Sequence, residues 1–363
     1  MTKKKQLLTV FNVGQGDAFL LHPTTGCAFS KVPLLIDTGH ANAKLASKIE
    51  LDRLNILITH SHNDHIGGLP GMMKGTGINR IQNLFIPYYL PEVIKISDFL
   101  NKYLKKETKK LNWNRLNKVD IKMVSHGDKL CSKHALVLNP PRRPESLFSN
   151  DQLENTTIGA IGEALNQLNE LGIDLPQAEI INYTPPLTPI NQDGGEYAEL
   201  ARKFVHLFFI TLVENARRLP LTNLGYLISR HFELTSNQAS IVFKYTHSDG
   251  DWLFTGDADE VVFDRLIHQK DDIGVRYLKI PHHGSRENIS SRSLKAINPS
   301  HAIISHDNRK FGRSKDSHPH HDVIDLLDRL KIETYYTNPV IKDKIRIKEK
   351  TLGKVLGGLV IFK

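Results

Sequence analysis

Cysteine is nearly absent. The chain of 363 residues has two, Cys27 and Cys131, and neither stands in a Cys-x-x-Cys pair. No disulfide framework is implied. Long apolar runs are also missing. The most apolar short stretch runs from Phe204 to Val213 and contains His206, too short for a bilayer that asks about 20 residues of a helix. The basic amino terminus, Met1-Thr2-Lys3-Lys4-Lys5, has no secretory apolar core behind it, because Asn12, Gly14, Gln15 and Asp17 soon follow Val10. The cytoplasm is the expected location, with no membrane partner. Acidic residues are outnumbered 39 to 48 by lysine and arginine, leaving a formal charge of +9. That balance favours polyanionic partners such as nucleic acid and says nothing about fold. Internal repeats and low-complexity segments do not occur. A hydrophobic content of 40% is ordinary for a soluble globular protein, and the length allows one large domain or two.

What is present is histidine in one place. The run Thr59-His60-Ser61-His62-Asn63-Asp64-His65-Ile66-Gly67-Gly68 follows the apolar stretch Leu54-Asn55-Ile56-Leu57-Ile58, which reads as a buried strand. A core has no use for so many imidazoles at a strand end. A divalent metal does, since imidazole nitrogen and carboxylate oxygen are its ligands.

The same texture recurs along the chain. Strands are expected at 7–13, 18–22, 33–36 and 54–59, a helix at 41–50, and further strands at 118–124 and 135–138. From about 141 to 235 the pattern turns helical. A helix opening at Thr156 or Thr157 carries Ile158, Ile161, Leu165 and Leu168 on one face and stops at Gly172. Residues 177–195 read as a loop, 196–219 as a longer helix and 221–232 as a third. This stretch is predicted to be a helical insertion in a discontinuous domain of about 1–140 and 236–363. It would serve as a lid, an oligomerisation element or a partner dock. Strands return at 239–245 and 252–254 as a hairpin, then at 276–280, 302–305 and 356–362, with a helix at 322–330.

Three of these strands end in metal-ligand residues: the 60–65 run, Asp257, and His282-His283. One cluster could be incidental; three at strand termini point to a built site. His60 and His62 alternate, so both side chains can leave an extended segment on one face. Asp64 and His65 are adjacent and diverge unless the chain turns, which suits two metals sharing a loop.

These motifs resemble the metallo-β-lactamase superfamily. The likeness rests on the HxHxDH run, Asp257 and the late histidine pair. Phe11-Asn12-Val13-Gly14-Gln15-Gly16-Asp17, Leu35-Ile36-Asp37-Thr38-Gly39, Phe254-Thr255-Gly256-Asp257-Ala258 and Ile280-Pro281-His282-His283-Gly284-Ser285 look like the hydrolase domain of bacterial competence (DNA-uptake) channel proteins. The tail motifs Ile303-Ile304-Ser305 and His318-Pro319-His320 are similar too. The resemblance covers roughly 1–140 and 236–340. It implies an α/β (α+β) fold, the four-layer αββα sandwich, interrupted here by the helical insertion. It also implies one or two divalent ions, zinc first, with manganese or magnesium as alternatives. His60 and His62 would hold the first metal, Asp64, His65 and His283 the second, with Asp257 between. Asp37 would fix the tautomer of a ligand histidine, and Asp17 would orient the same loop. His282 is assigned to substrate phosphate or proton donation, although the two late histidines can exchange roles. His318 and His320, before a helix start, suit an anion. Many superfamily members have one more ligand histidine about where Asn139-Pro140-Pro141 stands here. The neighbouring His126 and His134 are read as surface or packed residues.

The chemistry implied is attack of a metal-activated water on phosphorus, with Asp64, Asp257, His282 and His318 as the catalytic set. Residues 96–118 add positive charge. Lys102, Lys105, Lys106, Lys109 and Lys110 interleave with apolar residues and Trp113, as a solvated helical face or as a surface for phosphate backbones. The leading expectation is a phosphodiesterase or nuclease acting on DNA or RNA. One alternative is a hydrolase of a small ester, lactam or phosphoester beneath a helical lid. Another is a binding subunit whose incomplete metal site is structural and whose insertion docks a protein partner or a second copy.

Overall fold

The computed structural model describes residues 7–22, 32–103, 119–130, 134–148, 158–185, 194–218, 224–307, 318–338, 340–342 and 345–346. The strand expected at 356–362, both cysteines and the lysines at 105, 106, 109 and 110 lie outside the described residues. The chain forms two compact units. One comprises Met1–Pro87, Asn114–Pro140 and Ser240–Lys363, the other Tyr88–Trp113 and Pro141–Ala239.

The first unit is built on two mixed six-stranded sheets. Sheet one runs in chain order through β1 (Leu8–Val10), β2 (Phe19–Leu21), β3 (Leu34–Ile36), β4 (Leu54–Leu57), β5 (Ile81–Pro87) and β6 (Asp120–Val124). Its first three strands are antiparallel and β3 to β6 are parallel. Sheet two is the mirror in order. It contains β7 (Ala135–Asn139), β8 (Val242–Tyr245), β9 (Trp252–Phe254), β10 (Tyr277–Lys279), β11 (His301–Ile304) and β12 (Glu333–Tyr336). Here β7 to β9 are antiparallel and β9 to β12 parallel.

The strands are short and nearly all apolar, as expected where both faces are covered. One apolar core takes residues from both sheets, with Phe19, Ile36, Leu57 and Phe85 meeting Val137, Phe243, Trp252, Phe254 and Ile303. A second core joins Leu253, Leu278 and Ala302 of sheet two to the helices Glu260–His268, Ser291–Ile297 and His321–Arg329. The result is the mixed α/β architecture anticipated from the motifs. Parallel strands β3, β4, β9, β10 and β11 all release their chains at carboxyl ends, and every candidate ligand follows one of them.

The helical unit centres on the helix Gly194–Arg218, which packs against Leu90–Tyr103, Ile158–Glu170, Gln177–Ile181 and Leu224–Gln238. Phe204, Val205, Leu207, Phe208, Phe209 and Leu212 are all buried, so this helix is apolar around most of its circumference, the mark of a central helix. Tyr89 stacks on Phe204 at 4.6 Å.

Three local expectations need correction. Residues 41–50 form two 3-10 turns, Ala41–Ala43 and Leu45–Ser47, because Lys44 between them is left-handed at φ 49° and breaks the helix. Part of the expected 177–195 loop is the helix Gln177–Ile181, which buries Ile180. The strand expected at 7–13 pairs only over Leu8–Val10, since the Gly14 to Gly16 turn follows at positive φ.

Candidate metal centre

The histidine run turns as the chemistry requires. After β4, the one-turn helix Asn63–Ile66 carries Asp64 and His65. Thr38 clamps this turn, its backbone N–H and its hydroxyl donating to the His65 carbonyl at 2.7 and 2.8 Å. Gly16 presses on the turn from the other side. A Cβ there would stand 2.4 Å from the Asp64 carbonyl oxygen, and its φ is +136°, so only glycine permits the approach.

Four imidazoles converge on one carboxylate oxygen. From Asp257 Oδ2, the Nε2 atoms of His65, His60, His282 and His283 lie at 3.2, 3.7, 3.8 and 3.9 Å. His283 Nε2 is also 3.1 Å from Asp64 Oδ2. His60, His65, Asp257 and His283 are at most 1% exposed. Among the described residues, Nε2 of His60 and of His65 and both carboxylate oxygens of Asp257 lack a hydrogen-bond partner of acceptable geometry. Leaving buried polar atoms unpaired costs on the order of 1–3 kcal/mol each, and a divalent cation is the partner that satisfies imidazole and carboxylate together. Three groups among the described residues have ligand atoms within 4.8 Å of one another: His60, His65 and Asp257; Asp64, His65 and His283; and Asp17, Asp37 and His65. His62, with its ring 4.6 Å from that of His60, and His282 join none of these groups among the described residues.

The far nitrogens are held. Asp37 Oδ2 lies 2.8 Å from His65 Nδ1, while the same carboxylate accepts from the Thr59 N–H at 2.7 Å and the Thr59 hydroxyl at 2.8 Å. His283 Nδ1 donates to the Ser305 carbonyl at 2.8 Å. His282 and His283 both sit in the left-handed region, at φ 45° and 54°. Such backbone costs about 1–3 kcal/mol per residue, and it persists where a site demands it.

A buried cation stands behind the centre. Lys279, 2% exposed, ion-pairs closely with Asp17, lies 3.6 Å from Asp257 Oδ1 and donates to the Gly256 carbonyl at 2.7 Å. Burial alone would lower its pKa, but Asp17 and Asp257 outweigh that and raise it. Burial likewise raises Asp17 despite Lys279. For Asp257 burial pushes upward, yet His65, His282 and His283 hold the carboxyl well below its usual range. Burial opposes a charge on His65, and the carboxylates of Asp257, Asp37 and Asp64 reverse it, raising the pKa well above normal. Burial and the imidazoles of His65 and His62 drive His60 the other way.

The structure thus gathers His60, Asp64, His65, Asp257, His282 and His283 at one point, with Asp37 and Asp17 beside His65. A row of imidazoles leads from His282 to His318 at 4.9 Å and on to His320 at 4.8 Å. His126 instead faces Asp271 at 3.0 Å, and neither it nor His134 joins a ligand group among the described residues. Asn139 is fully buried, donates to the Ser240 carbonyl at 2.5 Å and accepts from Arg265. Its amide is therefore engaged in packing. Lys102 lies in the helix Leu90–Tyr103, and the other four lysines are outside the described residues. Sequence reasoning missed Lys279, Asn288 and Ser305. A lysine closing the strand Tyr277–Lys279 was a signal for the first, and Ser305 stands in the tail motif Ile303-Ile304-Ser305 without its role being read; Asn288 acts through position and had none.

The family model of the metallo-beta-lactamase superfamily matches residues 12–128. That match supports membership of the metallo-beta-lactamase superfamily. It takes in Asp17, Asp37 and the 60–65 run, and with the convergent ligands it reads as a metal-dependent hydrolase. Among solved structures, Tm1679, a metal-dependent hydrolase of the beta-lactamase superfamily, is 13% identical over 91% of this chain and 94% of its own, with a TM-score of 0.42. YhfI from Bacillus subtilis, a metallo-beta-lactamase fold protein, is 9% identical over 92% and 96%, at 0.40. A diphosphatase from the PhnP family is 10% identical over 92% and 86%, at 0.34. No curated protein matches the chain.

Proposed function

We propose that this hydrolase is a phosphodiesterase acting on nucleic acid, DNA first. The observation that carries the reading is the convergence of His60, His65, His282 and His283 on Asp257, with an imidazole row running outward from it. A divalent ion bound there supplies Lewis acidity and lowers the pKa of its water to about 7. His60, His62, Asp64, His65, Asp257 and His283 are the residues that would hold it. Asp257, kept ionised by its imidazoles, serves as a ligand rather than as the proton acceptor. Asp37 and Ser305 hold His65 and His283 with Nε2 facing inward. His318 is pushed down to about 3 by burial and by His282, His283 and His320. It is neutral at neutral pH and offers a phosphoryl oxygen a hydrogen bond, not a positive charge. His320 precedes the helix His321–Arg329, whose first N–H groups favour an anion.

The choice of a phosphodiester is supported by this imidazole row, by the net charge of +9 and by the likeness of the motifs to the competence hydrolase domain. The lysines at 102, 105, 106, 109 and 110 are assigned to the phosphate backbone. Neutralising the last four should flatten the salt dependence of DNA binding, by about 0.9 in log–log slope per lost phosphate contact for duplex DNA. An unchanged slope returns that segment to a solvated face.

The test is cleavage of single- and double-stranded DNA, RNA, a small phosphodiester and a lactam by metal-stripped protein reloaded with Mn²⁺ or Zn²⁺. Cleavage of DNA or RNA that is lost in His62→Ala supports the reading. Cleavage of the small substrates alone replaces it with a small-molecule hydrolase. No cleavage under any metal, with His62→Ala indistinguishable from wild type, leaves a metal-binding subunit.

A further inference from the structure

We propose that His282 is a metal ligand that takes the place of the missing histidine, so that the adjacent pair His282-His283 serves two metals, one each. This deepens the metal-hydrolase reading and rests on it. It replaces the assignment of His282 to substrate contact.

Two successive residues, neither of them glycine, hold left-handed φ values of 45° and 54°. Consecutive side chains on an extended strand leave on opposite faces. Here the turn brings both imidazoles to the same oxygen, Nε2 to Asp257 Oδ2 at 3.8 Å for His282 and 3.9 Å for His283. His60, assigned to the first metal, stands at 3.7 Å. His282 is thus as near to the shared carboxylate as His60 and His283, with only His65 closer, at 3.2 Å.

The second step is the tautomer. Asn288 donates through Nδ2 to the Asp257 carbonyl at 2.9 Å and to the Ala258 carbonyl at 3.3 Å. That fixes the amide, and the atom it turns to His282 Nδ1 at 3.0 Å is Oδ1, an acceptor. His282 Nδ1 therefore carries a hydrogen, and in the neutral ring the lone pair sits on Nε2, the atom directed at Asp257. His283 is arranged the same way by the Ser305 carbonyl. An imidazole that donates from one nitrogen to a fixed acceptor while the other nitrogen faces the centre is the arrangement of a metal ligand. A phosphate contact would need a hydrogen on Nε2.

The third step is vacancy elsewhere. The position where a further histidine is expected holds Asn139, committed to Ser240 and Arg265, and His126 faces Asp271. All four Nε2 atoms face Asp257 Oδ2, and in the proposed arrangement they divide between two ions. His60 and His282, with His62, face the first metal; His65 and His283, with Asp64, face the second.

The experiment is a metal titration that needs no substrate. Metal-stripped full-length protein is titrated with Zn²⁺, and stoichiometry and affinity are read by calorimetry for wild type, His282→Gln and His283→Gln. Wild type is expected to bind two equivalents. His282→Gln should bind one tightly, with the other weakened at least tenfold, while His283→Gln weakens the opposite equivalent. In parallel, histidine ring ¹⁵N NMR of zinc-loaded wild type should count five metal-bound imidazoles, a readout that stands even if a variant fails to fold. Two undiminished equivalents in His282→Gln, or four metal-bound imidazoles in wild type, would overturn the assignment and leave the hydrolase reading intact. A wild type binding a single equivalent also overturns it. A wild type that binds no zinc, manganese or magnesium overturns both.

Discussion

Buried histidines occur in both units, and they are held in opposite ways. In the helical unit His231 has Nε2 at 3.1 Å from the Phe208 carbonyl and Nδ1 at 3.2 Å from the Asn215 amide. Both ring nitrogens are spoken for by uncharged groups, and burial pushes the pKa down to about 4. In the sandwich unit the pattern is half of that. His65 and His283 each have Nδ1 held, by Asp37 and by the Ser305 carbonyl, while Nε2 faces carboxylates. Burial opposes charge there as well, yet both pKa values are raised because the neighbours are anions. The contrast separates a packed histidine from a ligand without reference to any relative. The first meets neutral groups at both ends, the second turns its Nε2 to carboxylates.

The largest effect should come from the shared carboxylate. Asp257→Ala should lower zinc affinity at least a hundredfold. Asp17→Ala, which touches no proposed metal directly, should lower it by less. Equal affinities in the two variants, measured by competition with a chelator, would remove Asp257 from the centre.

Next is the cation behind it. Lys279→Met leaves Asp17 and Asp257 buried without their counter-ion, and breaking such a pair costs about 3–5 kcal/mol. Urea unfolding of the metal-free protein reads this directly. The double variant with Asp17→Asn should recover part of the loss, and no recovery would mean that Lys279 acts by packing alone.

The packed histidine gives a pH signature. His231 titrates near 6.5 unfolded and at about 4 folded. Between those values the unfolded chain binds more protons, so stability is full above about pH 6.5 and falls on acidification toward pH 4. The difference is about 3 kcal/mol. Thermal unfolding across that range, compared with His231→Leu, should show the variant losing part of the acid sensitivity. Identical pH profiles would contradict the assignment. The smallest effect is at the surface, where His126→Ala removes a half-exposed pair with Asp271. It should change stability by less than about 1 kcal/mol and metal content not at all.

Much of the site could be read in the chain because its residues follow strands whose apolar pattern is plain. The 60–65 run, Asp257 and the 282–283 pair are each announced by a short apolar stretch, and Asp37 by the Leu34–Ile36 strand. What stayed hidden depends on distance in space. Asn288 matters because its amide reaches His282 and the Asp257 carbonyl, and Ser305 because its carbonyl meets His283, contacts that no local pattern encodes. The equivalence of His282 and His283 was also hidden, since alternation along a strand sends neighbours apart and only the left-handed turn brings them together. In the helical unit, the segment 177–181 escaped notice because five residues are too few to show helical periodicity.

The most direct test of a metal-dependent hydrolase is hydrolysis of a phosphodiester by the same protein before and after metal removal. No turnover is expected in exhaustively chelated enzyme, with recovery on adding Mn²⁺ or Zn²⁺ and no recovery in Asp257→Ala. Turnover that persists at the original rate in chelated protein would contradict metal-dependent hydrolysis.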